Sequence, residues 1–292
     1  MKPNDYLKAV LDAQTLDEDG PELKELRARR DEIEALLRKE FGSSPSIRYA
    51  GSYAKGSMIK ESYDLDIVEY FPRDDSDAGE TLKELYENTK KVLERQYSVQ
   101  PKPSALRVLG KDQVDFHVDV VPGRFISEDS SDVYLYQSGV EKERLKTNID
   151  VHVEHVKSSG AVDDIRLMKL WRTRHGVGLK TFILELAVID VLDGASGTLD
   201  ERFVKVLKRI RDEPETIEVN DPANPEGNDL SHLWNETIWK AAGEIARQTL
   251  NNLETSGWET VFGPLPAPKE ESVARLHRAA KKIEAPARPW CP

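Results

Sequence analysis

Gly51-Ser-Tyr-Ala-Lys-Gly-Ser57 stands just ahead of Tyr63-Asp-Leu-Asp-Ile-Val68. Aspartate and glycine are poor strand formers, yet Ile67, Val68, Tyr70 and Phe71 read as part of a strand over 65–71. A local propensity that is overridden in this way marks a functional site. Strand side chains alternate with period two, so Asp64 and Asp66 point to the same face. Two carboxylates that close repel one another unless a cation sits between them. Oxygen-only ligation suits Mg²⁺, which binds through a couple of carboxylates plus substrate phosphates.

A third acid comes from Asp115-Phe-His-Val-Asp-Val-Val-Pro122. Asp115, His117 and Asp119 alternate onto one face of a strand expected over 114–121. If that strand pairs with 65–71, Asp64, Asp66 and Asp119 meet as the carboxylates of a two-metal site, which clamps the attacking and leaving oxygens of an in-line displacement. Gly51 and Ser52 then read as a phosphate cradle, with backbone N–H groups freed by the turn and a hydroxyl beside them. Lys55 or Lys60 adds charge there. This is not a Walker-type loop, and Gly176-Val-Gly-Leu-Lys-Thr181 misses that pattern as well. His117 and His152-Val-Glu-His155 have neither a third ligand nor a zinc spacing in the sequence, so they read as structural.

Around this centre the chain divides into two patterns. Residues 22–41 form a helix with an apolar stripe at Leu26, Ile33 and Leu37, and with six basic and six acidic side chains that read as a solvated, salt-bridged surface. A strand over 46–50, the glycine-serine turn, strand 65–71, a helix over 79–96 and strands over 105–109 and 114–121 make a small sheet with helices, an α+β arrangement. From Asp163 the pattern is helical: 163–174, then 180–192, apolar nearly all round and so buried, then the stripe Phe203, Val206, Leu207, Ile210, then 231–254. The loop Asn220–Asp229 is rich in turn residues, reading either as a helix cap or as a contact to an acceptor. Six of the 16 prolines fall in the last 30 residues, where a short helix over 269–283 is expected before the chain frays. The expected division is 1–160 for the core with its N-terminal helix, 161–262 for a helical lobe, and 263–292 for a proline-rich tail.

Bulk properties narrow the function. With 38% hydrophobic and 33% charged residues the chain is that of a soluble globular protein. No apolar run approaches the length that spans a bilayer, and no signal-peptide core opens the sequence, so a cytoplasmic protein without membrane partners is expected. The single Cys291 permits neither a disulfide framework nor a cysteine metal site. A net charge of −11 favours small substrates over a long nucleic acid, whose binders usually carry a basic face.

Together, GSYAKGSMIKESYDLDIV and FHVDVVP resemble the nucleotidyltransferases of the DNA polymerase β superfamily, whose signature is Gly-Ser, a spacer, Asp-x-Asp and a later acid on a strand. IRLMKLWR (165–172), LKTFILEL (179–186) and NDPANPEGND (220–229) look like the helical lobe of the CD-NTases, bacterial cyclic-oligonucleotide synthases related to cyclic GMP–AMP synthase and oligoadenylate synthase. The resemblance covers about residues 20–262. It implies a polymerase-β-like core packed against a helical C-terminal lobe, with Asp64, Asp66 and Asp119 holding two Mg²⁺ (or Mn²⁺) ions and Asp119 also helping to activate the attacking ribose hydroxyl. It implies further that Gly51 and Ser52 bind the donor triphosphate and that Lys169 reaches its phosphates. Thr181 stands where the family commonly has serine, and Phe182 where an aromatic stacks on the donor base.

Three enzyme readings share these aspartates. RNA-end transferases, and relatives switched on by double-stranded nucleic acid along the N-terminal helix, need basic surface. The balanced charge of 22–41 argues against both. The bacterial synthase reading needs only nucleoside triphosphates, ATP among them, and implies a cyclic di- or trinucleotide product, release of pyrophosphate, an antiphage role, and regulatory or effector protein partners. Transfer to an RNA end or a protein is the alternative enzyme, and an inert binding protein of the same fold the alternative class. The intact aspartate set argues against inertness, because clustered carboxylates without cations are costly.

Overall fold

The structure is a computed structural model that describes residues 1–110, 113–139 and 141–265, with the backbone path alone at 110 and 113–116. The expected helix over 269–283 and Cys291 lie outside the described residues, as does the side chain of Asp115. The elements run α1 (Pro3–Ala13), α2 (Pro21–Phe41), β1 (Ser46–Tyr49), α3 (Gly51–Lys55), β2 (Leu65–Phe71), α4 (Leu82–Glu94), β3 (Ser98–Pro101), β4 (Leu106–Gly110), β5 (Gln113–Phe125), β6 (Val133–Tyr136) and β7 (Arg144–Thr147). Helices then follow: α5 (Ile149–Ser158), α6 (Val162–Arg174), α7 (Thr181–Leu192), α8 (Leu199–Asp212), α9 (Glu236–Ser256) and α10 (Glu259–Phe262). The expected α+β class holds, with a mixed sheet and helices.

The described strands form one sheet in the order β1-β2-β5-β4-β3, with β6 pairing β5 and β7. β2 and β5 run parallel and the other pairs antiparallel. Alternation along β2 decides the rest. Leu65, Ile67 and Phe71 pack into an apolar cluster with Leu26, Ile33 and Leu37 of α2 and Leu85, Val92 and Leu93 of α4. Asp66 lies on the other face, which turns apolar farther along at Val68 and Tyr70, packed against Val133 and Leu135. Burying β2 on both faces while ending it in aspartates confines the carboxylates to one end of the sheet.

Local signals explain the element ends. α4 begins at Leu82, later than the expected 79, because Thr81 and Glu84 form a reciprocal capping box that fixes the helix start. α2 matches its pattern closely. Its arginines are engaged: Arg29 with Glu32 (3.4 Å), Arg38 with Glu34 (2.6 Å), and Arg27 with Glu18. Exposed pairs of this kind add little stability, but they balance the charge of that surface.

A second core gathers the helices. Trp171, Leu170 and Met168 of α6, Ile183 and Leu184 of α7, and Phe203 and Leu207 of α8 are fully buried together. Trp171 donates its indole N–H to Thr249 on α9 at 2.9 Å, satisfying the one polar atom of that ring. The first helix, grouped with residues 1–160 in the sequence reading, buries Tyr6, Leu7, Val10 and Leu11 in this helical core. Among the described residues no helix is long and apolar enough to cross a membrane.

Candidate active site

The parallel pairing of β2 and β5 sets Asp66 directly opposite Asp119. Asp64 lies just before β2, and His117 stands two residues before Asp119 on the same face of β5. His117 Nε2 is 3.5 Å from Asp64 Oδ2, and it is buried with no hydrogen-bond partner. Ligand atoms of Asp64, His117 and Asp119 all lie within 4.8 Å of one another, close enough to share a metal ion. His117, read from the sequence as structural, thus stands within reach of two candidate metal-binding carboxylates. Asp119 lies on its own strand, and Asp64 is brought in beside β2, where no spacing rule along the sequence finds it.

Asp66 and Asp119 differ in electrostatic state. Burial, then Asp64, then Asp119 push the Asp66 carboxyl up to about 7. Burial also raises Asp119, but hydrogen bonds from Arg107 and Lys102 outweigh it and hold that carboxyl below its usual range. Arg107 sits opposite Asp119 on β4 and donates to both its oxygens, Nε at 3.0 Å and Nη2 at 3.1 Å, while Lys102 makes a further ion pair. Sequence reading missed both basic residues.

Gly51 is the first residue of α3, with φ +54. The expected glycine-serine turn is thus the start of a one-turn helix. A Cβ at position 51 would lie 1.7 Å from Asp66 Oδ2, so only glycine lets the backbone approach the carboxylate. The Ser52 hydroxyl is buried without a partner.

A cavity of about 300 Å³ opens beside these groups, lined by Gly51, Ser52, Asp64 and Asp66 from one side and by Lys169, Arg172, Thr181, Phe182 and Glu185 from α6 and α7. The nucleotide-binding candidates Gly51, Ser52, Lys169, Thr181 and Phe182 converge here. Asp119 lies next to the cavity through its opposition to Asp66. Lys55 also lines the cavity, whereas Lys60 turns away to pair with Glu22 at 2.8 Å.

Glu185 organises the floor. It receives Lys55 Nζ at 2.6 Å and Lys169 Nζ at 2.6 Å, and Lys169 also donates to the Ser57 hydroxyl at 2.7 Å. Burial raises the Glu185 carboxyl, but the two lysines overcome it and keep it ionised. Arg172 donates to the Thr181 hydroxyl at 2.7 Å. The Phe182 ring lies 5.3 Å from Lys55 Nζ and 5.1 Å from the His152 ring. His152 bonds Asp221 at 2.7 Å, and Asn228 donates to the same carboxylate at 2.7 Å. The Asn220–Asp229 loop is thus tied to α5 by its own side chains.

The donor set fits a divalent cation. An orphaned imidazole nitrogen, an orphaned serine hydroxyl and an Asp66 carboxyl crowded by two others are each relieved by a positive ion or a phosphate–metal unit.

Residues 1–159 match the family model described as the Second Messenger Oligonucleotide or Dinucleotide Synthetase domain, SMODS. The chain belongs to the SMODS family. It is 26% identical over 201 residues to the CBASS oligonucleotide cyclase CdnC of Escherichia coli strain KTE188, a match covering 60% of this chain and 62% of that protein. The chain thus spans less than two thirds of the curated relatives it matches. Among solved structures it resembles CdnC of E. coli MS115-1 in a CdnC:HORMA-deltaN complex (TM-score 0.67, 18% identity, covering 91% of this chain and 98% of that one). It also resembles the CD-NTase CdnG of Bradyrhizobium diazoefficiens in complex with GTP (TM-score 0.66, 13% identity, 96% and 100%). A third is DncV of Vibrio cholerae, a cyclic AMP-GMP synthase in complex with the linear intermediate pppA(3′,5′)pG (TM-score 0.63, 16% identity, 92% and 86%). These likenesses establish the fold: this SMODS chain has the CD-NTase architecture.

Proposed function

We propose that this SMODS chain joins nucleoside triphosphates into a cyclic di- or trinucleotide second messenger with release of pyrophosphate, in antiphage signalling. One observation carries the reading: Asp64, Asp66 and Asp119 gather at one end of the sheet, beside a cavity that also holds Gly51, Ser52 and a cluster of basic side chains. The relatives named as an oligonucleotide cyclase and a cyclic AMP-GMP synthase support the product class.

In this reading Asp64, Asp66 and Asp119 would hold two Mg²⁺ ions, with His117 as an added donor to the same cluster. Bound there, the ions supply charge neutralisation at the attacking and leaving oxygens of an in-line displacement. The chain's own groups do the rest. Gly51 lets the backbone approach, and Ser52 offers a hydroxyl to the donor triphosphate. Lys169 and Thr181 lie on the phosphate side, and Phe182 offers its ring to the base. Asp119 helps to activate the acceptor's 3′- or 2′-hydroxyl, which attacks the donor α-phosphate and expels pyrophosphate; a second round closes the ring. Residues 1–160 thereby supply the metal groups and the Gly51-Ser52 cradle, and 161–262 complete the nucleotide site.

Partners follow the same logic. ATP is one substrate, and a HORMA-type protein, as in the CdnC complex, is the first regulatory partner to try. Pyrophosphate release is measured with each of the four triphosphates and Mg²⁺, with and without added RNA. Release from triphosphates alone, lost in Asp64→Ala, supports the reading; release only with an RNA or protein acceptor replaces it.

A further inference from the structure

Three basic side chains line the cavity, and they are not equivalent. Lys55 and Lys169 are both paired with Glu185, at 2.6 Å each. Arg172 is half-buried at the end of α6 and uses Nη1 on two neutral oxygens, Leu179 O at 2.9 Å and Thr181 Oγ1 at 2.7 Å. Among the described residues no carboxylate pairs with it, and its Nε and Nη2 have no partner there.

A guanidinium partly withdrawn from water with no direct ion pair, and only the more distant charge of Asp64 to offset its burial, is costly to keep. Its free donors form a rigid planar fork that matches a phosphate bidentately. A lysine already pinned by a buried carboxylate offers far less to an incoming anion, because binding must compete with a pair it cannot release cheaply. The bonds to Leu179 and Thr181 hold the Arg172 fork in place, so little side-chain entropy is lost when it takes a ligand.

We propose that Arg172 is the cavity's phosphate-recognition residue, contacting the terminal phosphates of the bound triphosphate. Lys55 and Lys169, clamped by Glu185, shape the floor. The inference rests on the cavity being a nucleoside-triphosphate site and reassigns the main phosphate contact within it from Lys169 to Arg172.

The test is calorimetric titration of the full chain, in Mg²⁺, with α,β-methylene-ATP and with AMP. Arg172→Gln is expected to weaken the triphosphate analogue roughly ten- to a hundredfold, the loss of a charge-assisted pair, and to change AMP less than about twofold. Arg172→Lys, which keeps the charge and the packing but lacks the fork, loses severalfold on the analogue alone and decides the matter if Arg172→Gln fails to fold. Wild-type affinity for the analogue in these variants overturns the proposal, as does equal loss for analogue and AMP. Lys169→Gln reproducing the selective loss while Arg172→Gln does not would restore the role to Lys169. A wild-type protein that binds neither ligand instead refutes the triphosphate reading itself.

Discussion

Asp66 on β2 and Asp119 on β5 are direct neighbours across a parallel strand pair, yet they sit in opposite electrostatic states. Asp119 is held by Arg107 and Lys102, whereas Asp66 faces two carboxylates and is pushed up to about 7. In the metal-free protein the folded state therefore holds the Asp66 proton up to about 7, while the unfolded chain releases it near 3.8. Stability falls as pH rises through that window. In EDTA at pH 8, Asp66→Asn is expected to be more stable than the wild type by roughly 1–3 kcal/mol, and the two should converge near pH 4. Added Mg²⁺ raises the wild-type melting temperature and leaves that of Asp66→Asn nearly unchanged. Melting curves with EDTA and with Mg²⁺ check this; identical responses would contradict it.

Gly51→Ala places a methyl where Asp66 Oδ2 now lies and forces alanine to φ +54. The backbone cost is about 1–2 kcal/mol, and the carboxylate must move. The variant should fold, lose the Mg²⁺-dependent gain in melting temperature, and lose turnover. Retained turnover would mean that the close approach of Gly51 is incidental.

Glu185→Gln leaves two buried lysines without their shared counter-ion. Removing one partner of a buried pair costs about 3–5 kcal/mol, measured as the shift in urea midpoint at constant slope. A loss under about 1 kcal/mol would show that the clamp adds little.

Glu69 lies on the helix-covered face of β2, fully buried, with Oε2 accepting from Thr89 at 2.9 Å and Oε1 without a partner. Burial lifts its carboxyl to about 8 from an ordinary 4.5, against the smaller opposing effect of Thr89. The folded state keeps the proton longer, so its contribution to stability declines from about pH 4.5 to about pH 8. Glu69→Gln keeps the acceptor for Thr89 and removes the charge, so its melting temperature should exceed the wild type's above pH 7 and flatten with pH. Parallel curves from pH 5 to 9 would contradict this.

What the sequence disclosed follows from period and chemistry. Strand 65–71, Asp64 and Asp66 emerged because strand alternation is local and strict, and Asp119 because one further strand repeats it. Arg107 and Lys102 did not, since only the pairing of β4 with β5 brings them to Asp119. The short strands Val133–Tyr136 and Arg144–Thr147 carry too few residues for a pattern. Glu185 had a signal that went unused: of the two acids in KTFILELAVIDVL it is the one in the middle of the apolar stretch, and an acid buried there must find a cation. Arg172 had none, because its significance lies in the direct ion pair it lacks among the described residues.

The most direct measurement is product identity. The purified chain is incubated with labelled nucleoside triphosphates, singly and in mixtures, with Mg²⁺, and the products are treated with phosphatase and weighed by mass spectrometry. The account predicts a phosphatase-resistant product with the mass of a cyclic di- or trinucleotide, absent with Asp64→Ala or Asp66→Ala. Products that are wholly phosphatase-sensitive, or label that moves only onto an added RNA or protein, would contradict it.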